Sequence, residues 1–230
     1  MYFDIYYLIL IIPALLLSLY AQYKVKNTFS RYLSVPNGRG ITGAEVARKI
    51  LDEHGLYSID VEMIDGFLSD HFDPRAQKVR LSREVYNGTS VSSLGVAAHE
   101  TGHAIQHNTH YMPLQIRNSL IPVASIGGNW IAIPLILLGL LFQSPSLFLP
   151  GIIVFSSVVA FQFITMPVEF NASSRALKIL GNGFLTQNEL ANTKKVLNAA
   201  ALTYVAASTV ALAELLRYIL LFMGTQRDDE

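Results

Sequence analysis

A stretch of 51 residues between Arg117 and Glu169 contains no charged side chain. A helix rises 1.5 Å per residue and the hydrocarbon core of a bilayer is ~30 Å thick, so this stretch is about twice as long as one membrane span requires. The polar run Gln143-Ser144-Pro145-Ser146 divides it near its middle. The sequence therefore predicts a transmembrane hairpin with helices over 119–142 and 147–167.

The first apolar segment, over 5–22, also lacks charge and is bordered by tyrosines, which favour the membrane interface. A cleaved signal peptide would need a basic region before the segment and a small residue before the cleavage site. No basic residue precedes it, and Leu19 stands where cleavage before Gln22 would require a small side chain. We therefore predict an uncleaved membrane anchor over 5–22.

The last apolar segment, over 201–223, is interrupted by Glu214 and Arg217. These residues are three positions apart and so share one helical face, where their charges can neutralise each other. An ionisable pair in an apolar segment is also a feature of transporters, which remains one hypothesis for this chain. With this segment, the sequence predicts about four transmembrane helices.

Basic residues are distributed unevenly among the segments that connect the predicted helices. Eleven of the 17 lie between the first and second helices, four lie between the third and fourth, and Arg227 follows the fourth. Because loops rich in Lys and Arg face the cytoplasm, we expect 24–118 and 168–200 to be cytoplasmic parts of a plasma (inner) membrane protein. The 17 basic residues are balanced by 17 acidic ones, so no basic surplus indicates a nucleic-acid partner.

Short elements are predicted in the two cytoplasmic parts. A capping box of Thr42 and Glu45 predicts a helix over 44–54 that Gly55 ends, and a second box, Thr186 and Glu189, predicts the start of the last long helix. Alternating apolar and polar residues predict strands over 59–63 and 78–82, and Thr89 or Ser90 can cap a helix that continues past residue 103. We therefore expect a mainly α membrane protein with a small cytoplasmic α+β part.

The run His99-Glu100-Thr101-Gly102-His103 lies inside this last predicted helix. Residues four apart project from one helical face, so His99 and His103 can bind one zinc ion while Glu100 lies beside them. Zinc activates a water molecule for attack on a peptide carbonyl, and the glutamate accepts its proton. The chain has no cysteine, so only histidines and carboxylates are available as ligands for such a metal.

A catalytic zinc with two histidines needs a third protein ligand. Glu169, directly after the third predicted span, is our first candidate, and we expect it to open a separate helical segment over 170–180. His107 and His110 are alternatives because they lie close to His103 in the chain. The prediction is one zinc per chain, held by His99, His103 and Glu169, with Glu100 as the catalytic base.

Three segments together resemble the neutral zinc metallopeptidase family of the YugP type. They are 98–107 around the His-Glu motif, 70–75 (Asp-His-Phe-Asp-Pro-Arg) and 167–173 (Pro-Val-Glu-Phe-Asn-Ala-Ser). The resemblance extends over nearly the whole chain and is similar in outline to the HtpX and CAAX prenyl protease membrane gluzincins. It implies the same ligands and base, and a zincin-like fold of the cytoplasmic part. In the CAAX group an aspartate four residues after the glutamate ligand steadies a histidine; here that position is Ser173, and Asn171 is nearby.

The leading hypothesis is therefore a membrane zinc metalloendopeptidase that acts at the cytoplasmic surface. A non-catalytic zinc-binding scaffold or adaptor is the alternative. We expect membrane-proximal or misfolded proteins as substrates, bound in extended form along 78–82 as an edge strand. Arg175, His107 and Tyr204 are the candidates for stabilising the oxyanion.

Overall fold

The computed structural model of the chain describes residues 5–227. Its helices and strands are, in chain order, a π-helical turn Tyr7–Ile11, α1 Ile12–Leu33, α2 Gly43–Glu53, β1 Asp60–Ile64, β2 His71–Asp73, β3 Lys78–Ser82, α3 Arg83–Tyr86, α4 Val91–Asn108, α5 Met112–Pro122, a π-helical segment Val123–Ala132, α6 Ile133–Leu141, α7 Pro145–Gly181 and α8 Gln187–Arg227.

Four helical stretches are long and apolar enough to cross a membrane: Tyr7–Leu33, Met112–Leu141, Pro145–Gly181 and Gln187–Gly224. The protein is a mainly α membrane protein with a small α+β part, as the sequence predicts. The chain divides into two compact units. The apolar unit contains residues up to Ala21, Met112–Pro167 and the residues from Thr203 onward, and the α+β unit contains Gln22–Tyr111 and Val168–Leu202.

The hairpin of the apolar unit turns where the polar run predicts it, between α6 and α7. Its helices approach closely because glycines face the neighbouring backbone. A Cβ at Gly139 would lie 2.6 Å from the backbone nitrogen of Phe148, and one at Gly151 would lie 3.0 Å from that of Ile136. Small residues at such contacts are typical of helix packing in membranes, where close approach provides the van der Waals attraction.

The two charged residues of the last apolar segment bind each other. Nη1 of Arg217 donates to Oε2 of Glu214 over 3.1 Å. The guanidinium also lies over the rings of Tyr7 and Tyr218, at 5.3 and 5.6 Å from the ring centroids. The two charges thus neutralise each other within the apolar unit. This is typical of a structural ion pair, so the geometry favours a structural role over transport.

The α+β unit has its own core. Helix α2 packs against α4 through buried aliphatic residues such as Val46, Ile50 and Leu94. Both predicted capping boxes are present: Thr42 and Glu45 exchange hydrogen bonds at the start of α2, and Thr186 and Glu189 do so before α8. Helix α2 ends before Gly55, whose φ of +72° is the left-handed conformation that glycine adopts at low cost.

The strand order of the sheet is β1-β3-β2, with β1 parallel and β2 antiparallel to β3. The two predicted strands are found, but the prediction that Lys78–Ser82 is an edge strand is wrong. The third strand, His71–Asp73, pairs with the other side of β3. It is only three residues long, so it shows too little alternation of apolar and polar residues to be recognised in the sequence. In the described sheet β1 and β2 form the edges, and β3 has no free edge to offer a peptide.

Helix α7 continues without a break through Pro167 and Glu169 to Gly181. The prediction that Glu169 opens a separate helical segment is therefore wrong. A proline removes one backbone hydrogen bond, but an apolar environment with neighbouring helices tolerates that loss. Glu169 consequently lies inside a helix, and a rigid element rather than a turn determines its direction.

Candidate metal centre

Helix α4 presents the two motif histidines. Its first turn is capped by Ser90, whose Oγ accepts a hydrogen bond from the backbone N–H of Ser93. Small and aliphatic residues bury most of its surface in the core of the α+β unit. The side chains of His99 and His103 are 13% and 14% exposed, so both are almost fully removed from solvent.

Glu169 on α7 completes a group of three side chains. Its Oε2 lies 3.2 Å from Nε2 of His99 and 3.4 Å from Nε2 of His103. The two imidazole rings stand nearly perpendicular, with centroids 4.8 Å apart. One ligand atom from each of the three residues lies within 4.8 Å of the others, and no other residue of the described chain belongs to this group. The arrangement can hold a metal ion.

The other nitrogen of each histidine is also engaged. Nδ1 of His99 lies 3.1 Å from Oγ of Ser173, and Nδ1 of His103 lies 3.0 Å from Oε1 of Gln106. Hydrogen bonds of this type hold the ring and fix its tautomer in metal sites. Of the two residues that the sequence offered for this role, Ser173 contacts one of the two histidines directly.

Gln106 is the residue that sequence reasoning did not single out. Its Nε2 donates to the backbone carbonyl of Val168 and to Oδ1 of Asn171, at 2.8 and 3.0 Å. Asn171 Oδ1 also accepts from Nε of Arg175 over 2.7 Å, so Asn171 acts on His103 only through Gln106. The available signal was a glutamine three residues after His103 on the apolar face of α4, where a buried polar side chain requires partners.

The hydrogen bonds of Gln106 determine which atoms of the site are available for a metal. A carbonyl can only accept, so the amide nitrogen faces Val168 and the amide oxygen faces His103. Neutral His103 then carries its hydrogen on Nδ1, and the lone pair of Nε2 points towards a carboxylate. These two acceptors can share a proton or bind a metal ion between them. Two imidazoles and one glutamate are a donor set of catalytic zinc sites, so these residues fit zinc.

The absence of a side chain at Gly102 permits the approach of α7 to α4. A Cβ built there would lie 3.0 Å from the carbonyl oxygen and 3.4 Å from Cα of Ala172. This contact is closer than most Cβ atoms make, and the neighbour is backbone, which cannot rotate away. The small residue within the motif therefore sets the spacing between the helices that carry the histidines and Glu169.

Glu100 is buried beside the cluster but does not belong to it. Burial alone would lower the pKa of His103, but its hydrogen bond with Glu169 and the charges of Glu100 and Glu169 raise that pKa above the usual histidine value. The charge of Glu100 also acts on Asp70, the residue before β2. Burial raises the pKa of Asp70, hydrogen bonds from Ser82 oppose the increase, and the charge of Glu100 adds to it.

The structure places the remaining candidates outside the cluster. His107 is exposed and packs against Phe72 of β2, with ring centroids 5.9 Å apart, and His110 is exposed after the end of α4. Neither belongs to the group of described residues that can hold a metal. Arg175 binds Asn171, and Tyr204 belongs to the apolar unit.

A family model described as "Putative neutral zinc metallopeptidase" matches residues 7–223. The chain belongs to this family. The "Putative membrane protease YugP" of Bacillus subtilis (strain 168) is 50% identical to the chain over 219 residues, which is 95% of the chain and 97% of that relative. No solved structure matches the chain. Membership of a zinc metallopeptidase family agrees with the donor set that the two helices bring together.

Proposed function

We propose that the protein is a zinc-dependent endopeptidase that binds one zinc ion per chain through His99, His103 and Glu169. The position of two Nε2 atoms within 3.4 Å of one carboxylate oxygen is the observation that carries this proposal. Glu100 lies next to this group without joining it, as a base must if it is to remain free for proton transfer.

Zinc, when bound, supplies Lewis-acid chemistry that acidifies the attacking water and polarises the scissile carbonyl. Glu100 accepts the proton of the attacking water and then delivers it to the nitrogen of the leaving amine, so the base is regenerated in each cycle. Ser173 and Gln106 keep the imidazoles in the required orientation and tautomer. The small exposure of the two histidines limits the entry of bulk water.

The proposed place of the reaction is the cytoplasmic surface of the plasma membrane. The residues of the α+β unit carry most of the basic side chains, which is the distribution that favours the cytoplasmic side. Glu169 is two residues beyond Pro167 and belongs to the same helix as the apolar stretch before it. At 1.5 Å per residue, it lies within about a helical turn of the end of that apolar stretch.

The substrates proposed are membrane-proximal or misfolded protein segments. An extended segment can add to a free strand edge through backbone hydrogen bonds that depend little on its sequence. Strand β2 supplies such an edge, and Phe72 at its centre contacts His107 on the helix of the motif. This requirement for an extended chain favours segments that are flexible or unfolded.

The experiment compares the protein with its Glu100→Gln variant in the same detergent or liposome. Zinc content, casein cleavage, and cleavage of one peptide either free or tethered to a transmembrane helix are measured. The proposal expects both proteins to bind zinc and only the first to cleave, with the tethered peptide cleaved faster. A variant as active as the parent would contradict the role of Glu100, and zinc binding without any cleavage by the parent would favour a scaffold. Equal turnover of both peptides would contradict the membrane-proximal preference alone.

A further inference from the structure

A cavity of about 370 Å³ lies in the α+β unit, between α1 and α8. Its lining residues are Lys24, Asn27, Thr28, Arg31, Tyr32, Lys195, Asn198 and Ala199. They come from one face of each helix, since they recur at intervals of three and four residues. None of these described residues is acidic, while three carry a positive charge and four more have side chains with an amide or hydroxyl group.

Two of the cations converge on one aromatic ring. Cζ of Arg31 and Nζ of Lys195 lie 5.8 and 5.7 Å from the ring centroid of Tyr32. Tyr32 is buried, so its ring forms part of the wall, while Arg31 and Lys195 are exposed at the rim. Like charges held on facing helices repel each other unless an anion lies between them. The cavity is therefore suited to an anionic ligand.

The position of the cavity in the chain indicates the source of that anion. Lys24 follows directly after the charge-free stretch 5–23, which ends within α1, and Lys195 and Asn198 precede the apolar stretch of α8 that starts at 201. Both walls thus consist of the polar ends of helices that continue into candidate spans. Phosphate groups of anionic lipids lie at this level of a membrane, and basic pockets at the cytoplasmic ends of helices bind them.

We infer that this cavity is a binding site for a phosphate group, and specifically for the phosphodiester headgroup of an anionic phospholipid. The cavity also offers uncharged hydrogen-bond donors, from the amides of Asn27 and Asn198 and the hydroxyl of Thr28. A surface patch made only of lysines and arginines would lack them. Arg31 presents a planar guanidinium that can bind two phosphate oxygens at once. The site is separate from the metal centre and does not depend on peptidase activity.

The test compares two double variants with the same loss of charge on the same two helices. Arg31→Gln with Lys195→Gln removes two cations that line the cavity, and Lys26→Gln with Lys194→Gln removes two that do not line it. Each protein is purified in a neutral detergent and titrated with phosphatidylglycerol or phosphatidylcholine, and native mass spectrometry counts the bound lipids. The parent and the Lys26/Lys194 variant are expected to prefer phosphatidylglycerol. The Arg31/Lys195 variant should bind phosphatidylglycerol at least roughly tenfold more weakly than the parent.

Equal binding of phosphatidylglycerol by the two double variants would overturn the proposal. A charge-conserving variant, Arg31→Lys with Lys195→Arg, distinguishes loss of the site from loss of the fold, because it should retain the preference. Inorganic phosphate and glycerol phosphate are added in a second series. Displacement of the lipid by either one at millimolar concentration would support a site for the phosphate group from any source, and failure of both to displace it would assign the site to the lipid.

Discussion

Oγ of Ser173 lies 3.1 Å from Nδ1 of His99, although the two residues are 74 positions apart in the chain. When Nε2 of His99 binds a metal ion, Nδ1 carries the hydrogen and the hydroxyl accepts from it. A serine can hold the ring in this way without adding a negative charge to the site. The contact also connects α7 to α4 a second time, one turn of helix after Glu169.

Replacing Ser173 with alanine should weaken zinc binding or peptide cleavage about 10- to 100-fold, because such supporting contacts contribute that much in metal sites. Zinc affinity is measured by chelator competition. Ser174→Ala is the matched control, since Ser174 is the exposed neighbour on the same helix. Equal losses in the two variants would contradict the role of Ser173.

Replacing Glu169 with alanine should release the metal, since it removes one of the three proposed ligands and leaves the two histidines without a carboxylate. Zinc is quantified after dialysis against a chelator at micromolar concentration, and circular dichroism checks the helical content. His107→Ala is expected to retain zinc. Full zinc in the Glu169 variant with loss in the His107 variant would assign the third ligand to His107.

Replacing Asp70 with asparagine should make the metal-free protein more stable at neutral pH. Folding raises the pKa of Asp70, so the protonated carboxyl adds to the free energy of unfolding at a pH below the unfolded-state pKa. This contribution is lost as the pH rises through the folded-state pKa. Asparagine keeps an oxygen that can accept from the backbone N–H of Ser82. Thermal unfolding of both proteins is followed from acidic to neutral pH. Curves that stay parallel throughout would show that the charge of Asp70 does not affect stability.

Removing one partner of the Glu214 and Arg217 pair should destabilise the protein more than removing both. Either Glu214→Leu or Arg217→Leu leaves the other charge of the pair without its partner, at a cost of ~2–3 kcal/mol. The double variant removes both charges of the pair. Thermal stability in detergent is measured for all three. Additive losses would contradict a structural ion pair. A double variant that still cleaves peptide would exclude a role of the pair in catalysis.

The orientation can be tested by cysteine labelling, because the chain has no cysteine. Arg39→Cys is suited to the cytoplasmic part, because Arg39 is exposed while the neighbouring Asn37 is buried. Ser146→Cys in the hairpin turn reports on the opposite side. In intact cells an impermeant reagent should label position 146 and not position 39. The reverse pattern would place the α+β unit outside the cytoplasm.

The elements that the sequence predicted correctly depend on local physics. An uncharged stretch longer than a bilayer, two capping boxes and a glycine after α2 each act over a few neighbouring residues. The same holds for the histidine pair, since a spacing of four on a helix places two side chains on one face. The rule that catalytic zinc requires a third ligand left Glu169, His107 and His110 as candidates, and the position of Glu169 after the third span favoured it.

The features that were missed or wrong depend on contacts between distant segments. Strand β3 is central because a strand of three residues, His71–Asp73, pairs with its second side. Helix α7 continues past Pro167 because of its surroundings, which the local sequence does not specify. Gln106 becomes a supporting residue because Val168 and Asn171, more than sixty positions later, accept its hydrogen bonds.

The α+β unit is discontinuous in sequence, since Gln22–Tyr111 and Val168–Leu202 are separated by the hairpin. During synthesis, the ribosome adds both motif histidines, the first hairpin helix and the apolar part of α7 before it reaches Glu169. A nascent chain therefore lacks one of the three proposed ligands until the apolar part of the hairpin has been made. If the proposed peptidase activity requires all three, the unfinished chain is inactive. For the same reason, no single cut releases the α+β unit as one fragment, and a single chain made of this unit alone would require a new covalent connection from Tyr111 to Val168.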